Sequence, residues 1–135
     1  MKIDFNTAFN VFKNYISENI PELGNFITHW EEPFTVIKNQ TVLLPDSSSE
    51  QGNEIKLSIR LCISILEKNL DAIPQTQTML VNKIFIAANS SELPSPIIDA
   101  SVASVDYYNP VPQAPLVGVI DAVINLTVEY IDDCN

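Results

Sequence analysis

The chain has 135 residues, 46% of them hydrophobic and 18% charged, with a formal net charge of −10. That length suits a single domain able to bury one core, and the composition excludes the low-hydrophobicity, high-charge signature of a disordered chain. Seven basic residues against seventeen acidic ones do not make the cation cluster that neutralising duplex phosphates requires, so specific nucleic-acid binding is not expected.

The N-terminal MKIDFNTAF places an acid and an asparagine where a signal peptide needs its apolar run, and no stretch has the apolar length of a membrane span. From Asn6 to Ile20 the spacing predicts a helix. Phe5, Phe9, Phe12 and Ile16 recur at helical intervals, Ala8, Tyr15 and Ile20 widen the stripe, and Lys13, Asn14, Ser17 and Glu18 lie off it. Asp4 or Asn6 can cap its start, and Pro21 with Gly24 ends it. A short extended piece is expected near Phe26 to Trp30, then a strand from Phe34 to Leu44 with Phe34, Val36 and Val42 inward, kinked or at an edge because of Pro33 and ending at Pro45. Asp46 to Asn53, DSSSEQGN, has no apolar residue to bury and is expected as a long, mobile hairpin tip.

Glu54 to Leu66 has the clearest alternation in the chain. Ile55, Leu57, Ile59, Leu61, Ile63 and Ile65 form one dry face, and Lys56, Ser58, Arg60, Cys62 and Ser64 the other. A second helix is expected from Pro74, at its first position, to Ala88, with apolar residues on more than one side. SSELPSP is a loop. Ile97 to Tyr108 is a strand with Ile98, Val102, Val105 and Tyr107 opposed to Asp99, Ser101, Ser104 and Asp106. After the proline-rich NPVPQAPLVG, Val119 to Tyr130 alternates again, with Ile120, Ala122, Ile124, Leu126, Val128 and Tyr130 on one face and Asp121, Asn125, Thr127 and Glu129 as polar positions on the other. The expectation is one α+β domain, residues 1–135, in the order α-β-β-α-β-β, with two helices on one face of a mainly antiparallel four-stranded sheet.

Chemistry-bearing patterns are weak. His29 is the one histidine and lacks the spacing of a zinc-protease helix; Ser or Cys nucleophiles would have to share it as their base. Glu31 with Glu32 and Asp132 with Asp133 are adjacent pairs whose side chains point apart on an extended chain. Gly24, Gly52 and Gly118 are too few and too scattered for a phosphate-cradling loop. Cys62 lies between Arg60 and Ser64 on the polar face, where a cation can lower a thiol pKa or the residue can simply be small and inert. Two cysteines, Cys62 and Cys134, build no disulfide framework and fit reduced thiols in the cytoplasm. A non-enzyme without metal or cofactor is expected.

The element order, the strand ending SVDYYNPVP and the last strand VIDAVINLTVEY resemble the small tail-terminator or tail-completion (minor tail) proteins of tailed bacteriophages and prophages. Asp106, Tyr107 and Tyr108, the proline-rich connection, and Thr127 to Tyr130 carry the likeness. The resemblance implies a structural protein of the virion tail, assembled in the host cytoplasm. It implies a ring homo-oligomer, commonly a hexamer, that caps the tail tube and meets head-tail connector proteins. Under it, Asp46, Ser47, Ser48, Ser49, Glu50, Gln51, Gly52 and Asn53, with Lys56 and Arg60, are the subunit-contact candidates. The alternative is a small binding module holding a peptide or small ligand in a cleft near Trp30 and Tyr107.

Overall fold

A computed structural model describes residues 4–28, 39–52, 54–109 and 117–129. Helix α1 spans Phe5–Asn19. Asp4 caps it by accepting from the Thr7 backbone N–H at 3.0 Å and the Thr7 hydroxyl at 2.7 Å, which satisfies a donor that the first turn would otherwise leave unpaired. Ala8, Phe12 and Ile16 are fully buried, and Phe5, Phe9 and Tyr15 lie partly buried at the margin of the same stripe. A 3-10 turn, Pro21–Leu23, follows, with its leucine in the core.

Among the described residues the sheet has five strands. They are β1 (Phe26–Ile27), β2 (Gln40–Gln51), β3 (Glu54–Leu66), β4 (Ile97–Tyr108) and β5 (Val117–Val128), in the spatial order β1-β2-β3-β5-β4. This corrects the four-stranded, mainly antiparallel expectation. The sheet is mixed, because β1 pairs in parallel with β2 through Phe26 opposite Thr41 and Ile27 opposite Val42. A two-residue strand leaves no periodicity to detect, and Thr41 fixes it from outside the ladder by donating its hydroxyl to the Leu23 carbonyl at 2.9 Å. Every other pairing among the described residues is antiparallel.

A larger correction concerns β2, which continues through Pro45 to pair Ser47–Gln51 with Glu54–Ser58. DSSSE is therefore strand, and the connection shrinks to Gly52 and Asn53. Gly52 takes φ +62°, a conformation that suits glycine in a tight hairpin. The register shifts between Pro45 and Ser47, a bulge where a residue without an N–H is tolerated. Residues 29–38 and 53 lie outside the described residues, and with them the expected inward Phe34 and Val36. Val42 lies on the face away from the helices, in contact with Leu44 and Cys62.

Strand β3 sits centrally, and all six of its odd-numbered apolar residues from Ile55 to Ile65 are buried against the helices. Opposite them on the same face lie Val128, Leu126, Ile124, Ala122 and Ile120 of β5. Burial of each such Leu or Ile contributes about 1.5–3 kcal/mol, so this double row is the main support of the fold. Helix α2, Ala72–Ala88, covers it with Ile73, Leu80, Val81, Ile84 and Ala87. Pro74 is its third residue rather than its first. Tyr15 donates its hydroxyl to the Ala87 carbonyl at 2.8 Å, joining α1 to the last turn of α2.

On β4 the inward residues are Ile97, Ala100, Val102, Val105 and Tyr107, since they oppose the inward residues of β5. Ile98, expected inward, is 60% exposed. Register shifts at Ile97/Asp99 and Val102/Ser104 move the alternation by one residue each time, which explains its irregular appearance in the sequence.

Candidate assembly surface

Helices α1 and α2 pack on one face of the sheet. The opposite face was expected to be polar throughout, and it divides into two parts. Toward the start of β2, Val42, Leu44 and Cys62 are buried together with Ser64 and Val119. Ile27 packs against this cluster. Beside it Gln40 is buried, and its side-chain amide finds no hydrogen-bond partner among the described residues. Toward the hairpin, the same face carries Ser47, Ser49, Lys56, Ser58, Asn125 and Ser101, which are half-buried or exposed.

Antiparallel register places most of the subunit-contact candidates side by side. Ser49 lies opposite Lys56, Ser47 opposite Ser58, and Leu44 opposite Arg60. Asp46, Ser47, Ser48, Ser49 and Glu50 are exposed and form a ribbon rather than a loop; Gln51 and Gly52 lead into the turn, and Asn53 lies outside the described residues. Lys56 meets Glu54 at 3.5 Å in a solvent-exposed pair of small energetic weight. Ser58 donates its hydroxyl to the side-chain oxygen of Asn125, linking β3 to β5.

Arg60 does not point into solvent as an open contact residue. Its Nε and an Nη hold both oxygens of Asp121 at 3.0 and 2.6 Å, with side-chain exposures of 29% and 17%. This bidentate bond raises the already high Arg60 pKa further, against the lowering effect of burial. Cys62 donates its thiol to the same Asp121 at 3.4 Å. Burial, reinforced by the Asp121 charge, pushes that thiol up to about 12, so it is protonated and inert at neutral pH despite the neighbouring arginine. Tyr108 is pushed up to about 12 by the same two causes in the same order.

Asp121 is thus the centre of this face; its place on the polar side of the last strand was legible in the sequence, its partnership with Arg60 was not. Its signal was available only through pairing, because Cys62 and Asp106 lie directly opposite Asp121 on the two flanking strands. Asp99 and Asp106 are exposed on the same side of β4.

His29, Glu31 and Glu32 are outside the described residues. Among those described, no three His, Cys, Asp or Glu side chains are grouped to hold a metal ion, and no helix is long and apolar enough to cross a membrane. Tyr107 and Tyr108 border a cleft of about 320 Å³ with Leu70, Ile73, Pro74 and Val117. Trp30, expected beside it, is not among the described residues. No protein-family model matches the sequence, and no curated protein matches it either.

Proposed function

We propose that this chain is a structural virion protein, a tail-completion subunit that assembles into a ring, caps a tail tube and supports head-tail joining. One observation carries the reading: a sheet whose inner face is spent on the core, while its outer face presents Asp99, Asp106 and Asp121 on two neighbouring strands. Asp121 is matched by Arg60, and Lys56 by Glu54. The surplus is acidic, in line with the whole-chain charge of −10. Around a channel such a surface repels passing phosphates and lets DNA through without adhesion. The hairpin ribbon and the sheet face supply contact area between copies and toward tube and connector proteins, in the host cytoplasm where tails are assembled.

The test is imaging by negative stain of the purified chain, alone and mixed with isolated tail tubes. Rings at tube ends support the proposal. Single small particles in both samples, across a concentration series, overturn it.

The cleft beside Tyr107 and Tyr108 favours a second reading, a small binding module for a peptide or compact ligand. Its mark would be saturable chemical-shift changes confined to those tyrosines and to the Leu70–Pro74 segment.

A further inference from the structure

Seventeen acids and seven bases are spread through this chain, yet from Ala72 to Asn89 the only charged residue is Lys83. Lys83 lies half-buried at the flank of α2 and is matched by Glu22 of the 3-10 turn. The residues of α2 turned away from the sheet therefore bring no unmatched charge. Their middle is apolar: Met79 is 44% exposed, Phe85 41% and Ile86 65%, with Asn82 exposed between them. Thr78 is exposed beside Met79, and the exposed Gln75 and Asn89 close the two ends. These positions recur at intervals of three and four, which makes one continuous stripe along the helix, interleaved with the residues that cover the sheet.

The chemistry of the stripe narrows what can lie along it. A basic partner would find no acid there to pair with, and is drawn instead to Asp99 and Asp106 on the far side of the sheet. A lipid surface calls for an apolar face flanked by free Lys or Arg, whereas here amides stand at the centre and at both ends, and the one lysine is engaged. For a second copy, which carries the same ten excess negative charges, a neutral strip is where two chains approach at least electrostatic cost.

The order of the residues fits a second copy as well. Turned end over end about a two-fold axis through Asn82, the stripe falls on itself, because residues equally spaced on either side of Asn82 exchange places. Met79 then meets Phe85, a thioether against an aromatic ring, and the symmetry makes this contact twice. Thr78 meets Ile86, and Gln75 meets Asn89. The two Asn82 amides meet on the axis, where each can both donate and accept, and a central amide pair of this kind holds the register. We propose that α2 is a docking face for α2 of a second copy of this chain, in an antiparallel, two-fold contact centred on Asn82. Such a contact is closed, with the same patch on both sides. It lies across the sheet from the surface that the ring reading uses, so the two stand or fall separately.

Sedimentation velocity at raised salt, where repulsion between copies is screened, is expected to show a concentration-dependent dimer. Asn82→Glu sets two like charges on the axis, and Phe85→Asp puts an acid against Met79; each is expected to weaken dimerisation by about tenfold or more. Both positions are exposed, so the variants should still melt cooperatively. Orientation is read by a short bismaleimide in a Cys134→Ser background, Cys62 being buried and protonated. Gln75→Cys mixed with Asn89→Cys should give a covalent pair, and either one alone should give none. Efficient pairing by Gln75→Cys alone overturns the antiparallel arrangement. Dimers or rings that both Asn82→Glu and Phe85→Asp leave intact overturn α2 as the face, and a monomer at every concentration overturns the second copy as its occupant.

Discussion

Gly118 is the residue with the least room. A Cβ there would stand 2.5 Å from the Ile73 side chain and 2.9 Å from the Gln77 amide, whose nitrogen donates to the Val119 carbonyl at 3.0 Å. Gly118→Ala therefore drives α2 off the start of β5 or breaks that bond. A loss of about 1–3 kcal/mol is expected by urea denaturation, with an unchanged m-value. At Asp121, truncation to alanine removes two charge-assisted hydrogen bonds and leaves a half-buried guanidinium behind, at a cost of about 2 kcal/mol in the same assay. The thiol of Cys62 has its folded pKa raised from an ordinary value near 9 to about 12. Its contribution to stability is complete below pH 9 and disappears as pH rises through that window, by up to about 1.4 kcal/mol per pH unit. Thermal melts between pH 9 and 12 on the parent and on Cys62→Ala check this: the variant should lose stability less steeply.

At the scale of elements, what the sequence disclosed depended on whether a strand buries one face. β3 and β5 do, and their inward sets were legible from a period of two, save Tyr130, which lies outside the described residues. α1 showed its stripe because Phe12 and Ile16 pack where the helical spacing puts them. The second half of β2 was illegible because Asp46–Glu50 are strand without burial, set by the ladder to β3. Polar composition describes solvent exposure there rather than irregular backbone. β4 was half legible, since each bulge inverted the pattern that would have identified its faces. The ladder places most of the candidate contact residues side by side, but Arg60, expected as an outward group, is held by Asp121, sixty-one residues away and not legible as its partner. Ile59 tests the element that everything else leans on. Fully buried between Pro45 and Ile124 on neighbouring strands, it cannot accept a charge, and Ile59→Asp is expected to abolish cooperative folding. A soluble variant with a sharp melting transition would reverse the assignment of the two faces.

For the whole molecule, shape and charge pull in different directions. The proposed ring brings copies together, whereas ten excess negative charges per chain keep them apart. Salt screens the repulsion over a Debye length of about 8 Å at physiological ionic strength and leaves apolar contact nearly untouched. Self-association is therefore expected to strengthen as salt is raised from about 20 to 500 mM, as measured by sedimentation velocity. A protein held together by ion pairs between copies would show the reverse trend. α2 adds a further surface, since Met79, Phe85 and Ile86 stay exposed, Ile86 at 65%, on the side turned away from the sheet.

The spatial order β3-β5-β4 has a bearing on how the protein is made. β5 is the last of the three to leave the ribosome, yet it occupies the slot between the other two, each of which has its twelve-residue or near-twelve-residue ladder with it. Until that segment is synthesised, β4 has no sheet to join and one side of β3 stays bare. The nascent polypeptide must hold a gap for its own later portion, and maturation waits on an insertion event rather than on stepwise growth of the sheet.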